Sequence, residues 1–274
     1  MGFDFWQIVI LAAVQGVTEF LPISSSGHLV VTATILSSGQ VQRLDFADVS
    51  IVLHLGTLGS ILIFYFQEIR QLFIQERRTI PLLVVATIPT GIIGVPLLVF
   101  AAEWLNNPSL AGALLVVTGM LLLRTARIPT GIRSFHDLSY VQAGLIGVAQ
   151  AFATLPGLSR SGMTICTGLA VGLRPRDAAT FSFLMAIPAI FGAGLWEVAK
   201  LLPGLLSGEI TLQTGEISGT PLFTLASGAF IAFAVGYVSL RWLIAWLECG
   251  RLRPFAWWCI LGGALIVVWQ WSLH

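Results

Sequence analysis

The sequence predicts an all-α integral membrane protein, with six transmembrane helices plus two re-entrant helix-turn-helix hairpins arranged as an inverted-topology repeat. Three observations lead there. Of 274 residues, 56% are hydrophobic and only 10% charged, against about 25% charged in an ordinary soluble domain. The apolar residues form long runs rather than amphipathic stripes, and two of those runs are broken by short polar turns. Lys and Arg, finally, gather in alternate loops.

The first apolar region, roughly 5–36, carries Gln15, Glu19, Pro22 and the serines Ser24, Ser25 and Ser26 near its middle. It reads as a helix, a polar turn and a second helix rather than a span. A hydrocarbon core about 30 Å thick needs about 20 apolar residues per helix, and continuous runs of that kind follow near 46–66, 79–100 and 108–123. The region 141–173 is interrupted in its turn by Pro156, Gly157, Ser159, Arg160, Ser161 and Thr164. Three more spans are expected near 178–200, 221–243 and 254–272. No low-complexity linker divides the chain, and the longest weakly structured stretch is about 201–220, so residues 1–274 are read as a single polytopic domain. The start Met1-Gly2-Phe3-Asp4 has no basic segment and no cleavage pattern follows, so no removable signal peptide is expected.

A net charge of +1 points to no nucleic-acid partner. Its distribution is more informative, because cytoplasmic loops collect Lys and Arg. Arg70, Arg77 and Arg78 fall in one loop, Arg124, Arg127 and Arg133 in another, Arg174 and Arg176 in a third, and Arg241, Arg251 and Arg253 in a fourth. Those four are expected to be cytoplasmic. The segment before residue 46 holds only Arg43 and the loops near 101–107 and 201–220 hold only Lys200 at an edge, so these face outward. The hairpin 5–36 then begins and ends outside, whereas 141–173 begins and ends inside. That is an inverted repeat, with halves of roughly 5–123 and 141–272. An ungapped offset of 135 supports it, matching Gln15 with Gln150, Ser24 with Ser159, Ser26 with Ser161, Gly27 with Gly162, Thr32 with Thr167, Phe46 with Phe181 and Gly59 with Gly194. Broken helices in such repeats build sites near the midplane.

The two turns have phosphate-handling chemistry. Ser24 to Ser26 can cap the second half-helix, leaving unpaired N–H groups and a positive dipole end at the turn, and helix N-termini bind phosphate readily. Ser159 to Ser161 repeat the arrangement, and Arg160 adds a planar, permanent cation suited to bidentate phosphate contact. An arginine at helix centre in lipid costs about 2.5–3.5 kcal/mol even on insertion scales, so it requires an anionic partner or water. Gln15 and Glu19 lie four apart on one helical face. A carboxylate there can hold a hard cation or take a proton, and His28 suits acid or base work. Ser and Gly in membrane helices often serve close packing alone, and a buried Glu and Arg can also form a transporter's ion site. His54 reads as a satisfied interior histidine, while Glu103, His136 and Asp137 read as solvated loop residues. Cys166, Cys249 and Cys259 have no metal-type spacing and read as packing residues.

Glu19-Phe-Leu-Pro-Ile-Ser-Ser-Ser-Gly-His28 together with Pro156-Gly-Leu-Ser-Arg-Ser-Gly-Met-Thr164 resembles the two signature motifs of the bacitracin-resistance type undecaprenyl-diphosphatases. The chain length, the Phe181-Ser-Phe-Leu-Met-Ala-Ile-Pro188 segment and the spacing of spans extend the resemblance over nearly the whole chain. It implies a homodimeric enzyme of the bacterial inner membrane that hydrolyses undecaprenyl diphosphate to the monophosphate carrier used in cell-wall glycan synthesis. Its site would face the outer side, and it would depend on a divalent cation, Mg²⁺ or Ca²⁺. Carried over, Glu19 assists metal binding or proton transfer, Ser25 is the nucleophile of its serine run or positions the attacking water, and His28 is a catalytic or metal-associated partner, whether as base, acid or nucleophile. Ser24 and Ser26 line the first turn, and Ser159, Arg160, Ser161 and Thr164 hold the diphosphate. Similar proteins often carry Glu at the place of Gln15, which can offer a metal only its carbonyl oxygen. A membrane transporter or lipid-carrier flippase is the alternative, since midplane charges in inverted repeats are common in transport. A serine hydrolase is disfavoured, because no Gly-x-Ser-x-Gly elbow occurs.

Overall fold

The computed structural model describes residues 3–36, 43–100, 107–206, 216–217 and 220–272. Within these the chain is helical except for turns, a two-residue antiparallel pair, Glu216–Ile217 with Thr220–Pro221, and a parallel bridge between Arg133 and Leu173. Residues 101–106 of the expected outward loop, with Glu103, and most of the loop over 201–220 lie outside the described residues.

Local chemistry sets the helix boundaries. Helix α1 (Phe5–Thr18) opens on a capping box, in which Asp4 Oδ1 accepts from Gln7 N at 2.8 Å and Gln7 Oε1 from Asp4 N at 3.0 Å. The turn 19–24 separates it from α2 (Ser25–Leu36). Helix α3 (Arg43–Phe64) is followed by α4 (Phe66–Ile74), bent 65° away at Tyr65. Helix α5 (Thr79–Pro89) passes through a π turn (Thr90–Gly94) into α6 (Val95–Phe100). Helix α7 (Pro108–Thr125) has Pro108 in its first turn and Asn107 as cap. Helix α8 (Tyr140–Phe152) opens on a second capping box, Ser139 with Gln142. Ser159 caps α9 (Arg160–Ala170), and α10 (Pro175–Leu206), α11 (Leu222–Glu248) and α12 (Arg253–Ser272) complete the chain.

Among the described residues, five helices are long and apolar enough to cross a membrane, or six if the bent pair α3 and α4 counts as one span. Two expected spans are therefore less regular than their sequences suggest. The span near 46–66 starts earlier and is broken at Tyr65. The span near 79–100 carries a π turn directly after Pro89, where the missing proline N–H and its ring disturb the helical ladder. The span near 178–200 is longer than expected, running from Pro175 to Leu206.

Close backbone approach packs the bundle. Helix α7 lies along α12, and Cβ atoms added at Gly112 and Gly263 would meet each other's carbonyl oxygens at 2.9 and 2.5 Å. Helix α1 packs on α11, α3 on α11, and α5 on α8. This is the small-residue packing used where lipid supplies no hydrophobic drive between helices. Under the first turn, Phe20 meets Phe183 edge-on at 5.5 Å, and Tyr65 stacks on Phe183 at 6.3 Å. All three are fully buried, so the turn rests on a rigid aromatic floor.

On the side bearing the arginine loops, Asp177 ties the loop before α8 to the start of α10. Its Oδ1 accepts from Ser134 Oγ and Phe135 N at 3.0 Å each, and its Oδ2 meets Arg174 Nε at 2.8 Å. Near it, His136 Nδ1 lies 2.8 Å from Glu76 Oε2.

Candidate active site

Helix α1 delivers Gln15 and Glu19 one turn apart on the same face, and the buried Phe20 holds its end. The chain then reverses through Leu21, Pro22 and Ile23. Ser24 adopts φ +68, the one positive φ outside glycine among the described residues. A non-glycine residue in this region costs on the order of 1–3 kcal/mol and persists where the surroundings hold it. Here it turns the chain so that Ser25 opens α2 facing back toward Glu19, with Ser25 Oγ donating to Glu19 Oε2 at 2.8 Å.

The second turn is built differently. Gly157 supplies its positive φ of +88, and a Cβ there would lie 2.0 Å from the Ala111 carbonyl oxygen. Thr118 Oγ1 donates to Gly157 O at 3.0 Å and accepts from Ser159 N at 3.2 Å, which locks this turn to α7. Ser159 Oγ caps α9 through Gly162 N at 3.1 Å. Ser161 Oγ donates to Leu21 O at 3.2 Å, joining the two turns directly. Arg160 is thereby aimed across the junction, and its Nη2 donates to Glu19 Oε1 at 2.6 Å.

Glu19 is the hub of the junction. Its side chain is 3% exposed and that of Arg160 17%, and a buried carboxylate is tolerable only with such pairing and hydrogen bonding. Oε1 accepts from Arg160. Oε2 accepts from Gln15 Nε2 at 3.0 Å and Ser25 Oγ at 2.8 Å, and His54 Nε2 lies 3.4 Å from it. His54 Nδ1 is 2.7 Å from the Ser50 carbonyl, which can only accept, so Nδ1 carries a proton. The contact of Nε2 with Glu19 is an ion pair when the ring carries both protons. Two buried polar atoms here have no hydrogen-bond partner, Arg160 Nη1 and Gln15 Oε1.

Of the residues singled out in the sequence, Gln15, Glu19, Ser25 and Arg160 meet around one carboxylate. Ser24 and Ser26 face each other, Oγ to Oγ at 3.4 Å, as do Ser159 and Ser161 at 3.2 Å. Thr164 lies one helical turn further in, its Oγ1 2.6 Å from Ser182 Oγ and donating to Arg160 O at 2.7 Å. His28 faces another way. Its Nδ1 is 2.8 Å from Ser24 O, and the indole of Trp258 donates to Nε2 at 2.9 Å. The indole can only donate, so Nε2 accepts and Nδ1 holds the proton.

Two site neighbours were not among the sequence candidates: His54, read there as a satisfied interior histidine but placed here 3.4 Å from Glu19 and 31% exposed, and Trp258. His54 had a discernible signal, since Ser50, His54 and Thr57 recur at helical spacing within an apolar span, and an intramembrane ionisable group is a site candidate by default. Trp258 had none, because an exposed tryptophan in a membrane helix is ordinary.

Chemically, the junction offers a hydroxyl hydrogen-bonded to a carboxylate, a guanidinium with a free N–H, and the N-terminal end of an 11-residue helix. An oxyanion such as phosphate suits that set.

Comparison with known proteins agrees. The family model described as Bacitracin resistance protein BacA matches residues 8–265. An undecaprenyl-diphosphatase from Rhodopirellula baltica is 46% identical over 263 residues, covering 96% of each chain. One from Syntrophotalea carbinolica is 37% identical over 96% of this chain and 97% of its own. One from Halothermothrix orenii is 35% identical over 97% and 98%.

Proposed function

The chain belongs to the bacitracin resistance protein BacA family, and from that premise we propose how its junction hydrolyses undecaprenyl diphosphate to undecaprenyl phosphate and inorganic phosphate. The observation that carries the mechanism is the Glu19 carboxylate shared between the Ser25 hydroxyl and the Arg160 guanidinium.

Phosphoryl transfer needs in-line positioning and charge neutralisation more than covalent machinery. Arg160 Nη1, the unpartnered donor, meets an oxygen of the terminal phosphate. Ser25 Oγ attacks that phosphorus while its proton passes to Glu19 Oε2, the anhydride P–O bond breaks, and undecaprenyl phosphate leaves. Water then hydrolyses the phosphoserine and Ser25 regains its proton. Ser24, Ser26 and the first turn of α9 offer further donors to the diphosphate, and His28 stands at the rim of the first turn.

Among the described residues no group of three or more His, Cys, Asp or Glu side chains converges to hold a metal, and both Glu19 oxygens are engaged by donors. The unpartnered Gln15 Oε1 is a buried protein oxygen left open to a cation. That oxygen fits a hard cation such as Mg²⁺ or Ca²⁺, which Gln15 would help to hold beside the diphosphate. When bound, it supplies neutralisation of charge on the phosphoryl oxygens.

The architecture follows as one domain of two inverted halves, 5–123 and 141–272, with re-entrant hairpins 5–36 and 141–173. Support comes from the offset of 135 residues, which carries the capping box Asp4 and Gln7 onto Ser139 and Gln142, and buried Gln15 onto buried Gln150. The pairings of α1 with α11 and of α8 with α5 are those an exchange of the halves produces. With the arginine loops inside, the first hairpin opens to the outer face of the plasma membrane, where the diphosphate carrier is released for reuse.

The test is phosphate release from undecaprenyl diphosphate by purified protein in detergent, with and without Mg²⁺ or Ca²⁺. Release should require the cation and should fall by about a hundredfold or more in both Arg160→Ala and Ser25→Ala. A well-folded wild type that releases none overturns the reading.

A further inference from the structure

We propose that His28 is a positioning residue rather than a carrier of protons, its imidazole bracing the Ser24 carbonyl against helix α12 so that Ser25 stays aimed at Glu19. The inference rests on the diphosphatase reading for the reaction that Ser25 serves.

Ser24 holds the turn at its most demanding point, buried and with φ +68. A serine has no intrinsic preference for that region, so its neighbours must hold it there. The helical bond that would fasten its carbonyl is slack, since His28 N lies 3.4 Å from Ser24 O. The ring of the same residue supplies the short donor instead, Nδ1 at 2.8 Å. Ser25 follows directly and donates its Oγ proton to Glu19 Oε2 at 2.8 Å. A rotation at Ser24 therefore swings the nucleophile off the carboxylate.

Both ring nitrogens are thereby spent. Nδ1–H is on Ser24 O, and Nε2 accepts from Trp258 Nε1 at 2.9 Å, with the two rings stacked 6.1 Å apart and 14° from parallel. A neutral imidazole has one donor and one acceptor nitrogen, so none is left for Ser25 or for substrate. The brace continues into α12. Cys259, next to Trp258, donates its thiol proton to Pro22 O at 3.4 Å, so α12 grips the turn at both ends. Helix α12 lies tight on α7, where a Cβ on Gly119 would stand 2.6 Å from Ala256 O. Thr118, beside Gly119, fastens the second turn. The same helix pair therefore sets the two turns against each other, and His28 links that pair to the turn of the nucleophile.

The experiment compares wild type, His28→Ala, His28→Asn and Trp258→Phe by steady-state phosphate release and by hydrogen exchange over residues 19–28. Asparagine sets an amide N–H close to where the imidazole Nδ1–H stands, yet it carries no titratable proton. His28→Ala should lower kcat by about 10- to 100-fold, the scale of a reacting group displaced by about 1 Å, and leave KM within about threefold because Arg160 is untouched. Its turn should also exchange faster. His28→Asn should recover kcat to within about fivefold of wild type and restore slow exchange. Trp258→Phe, which leaves the ring its bond to Ser24 but removes the brace, should fall between. An Asn variant as slow as the Ala variant, with its turn protected, would overturn the inference in favour of proton transfer at His28. Unchanged kcat and exchange in His28→Ala, or a loss confined to KM, would overturn it as well. Trp258→Phe matching wild type in both readouts would sink the brace against α12. If wild type releases no phosphate, the diphosphatase reading fails, while exchange still decides the brace: faster in Ala and restored in Asn upholds it, and equal rates in all four proteins overturn it.

Discussion

Thr164, assigned to the diphosphate on the strength of its motif, has its hydroxyl 2.6 Å from Ser182 Oγ and is fully buried. In that position it fastens α9 to α10. Thr164→Val strands the Ser182 hydroxyl and should cost about 0.5–2 kcal/mol, in the range of interhelical hydrogen bonds in membranes. The expected result is a lower melting temperature with KM for undecaprenyl diphosphate within about twofold of wild type, because Arg160 rather than Thr164 projects from the helix end. An increase in KM with unchanged melting would return Thr164 to the binding site. His28 offers a second residue-scale test. The Trp258 indole fixes its Nδ1–H tautomer, and Trp258→Phe keeps the stacked ring but removes the donor. ¹⁵N spectra of the imidazole should show a single tautomer in wild type and a mixture in the variant, and identical spectra would mean that Ser24 alone fixes the ring. The contacts of Thr164 and His28 were not legible in the sequence, because their partners Ser182 and Trp258 lie 18 and 230 residues away.

Among the elements, the two turns had the clearest sequence signals, since Pro22, Pro156, Gly157 and the serine runs are breakers and caps within apolar stretches. Sequence does not disclose that equivalent turns reach their geometry by different means, one through Ser24 at φ +68 and the other through Gly157 at φ +88. Gly157→Ala should be severe. The left-handed conformation costs an alanine about 1–2 kcal/mol, and its Cβ would meet Ala111 O at 2.0 Å, pushing the second turn off α7. Phosphate release should fall together with melting temperature, and a variant as stable and active as wild type would show that the turn can move without moving Arg160. The bend at Tyr65 and the π turn after Pro89 belong to the same scale. Proline marks the second in the sequence. The first has no local breaker, since Phe64, Tyr65 and Phe66 are all compatible with a helix, and its position is decided by the packing of Tyr65 on Phe183.

At the scale of the whole molecule, the proposed topology rests on where arginines collect. With Cys249 replaced by serine, single cysteines at Arg77, Arg127 and Asn107 should sort into two sides under a membrane-impermeant maleimide in intact cells. Asn107→Cys should label, while Arg77→Cys and Arg127→Cys should stay protected until the membrane is opened. Labelling that divides Arg77 from Arg127 would overturn the inverted repeat. Composition and charge placement were sufficient for an all-helical membrane protein with interrupted regions at the right places, because the apolar solvent makes length, polarity and loop charge strong local constraints. Sequence also singled out Glu19, Ser25 and Arg160, which meet around one carboxylate, since ionisable and cap residues stand out against so apolar a chain. What only the tertiary structure decided was who meets whom. Arg160 reaches Glu19 across 141 residues, His54 replaces His28 as the histidine beside that carboxylate, and Arg160 keeps one arm unpaired. Such choices depend on the angles at which four helices converge, and no local pattern along a single helix encodes them.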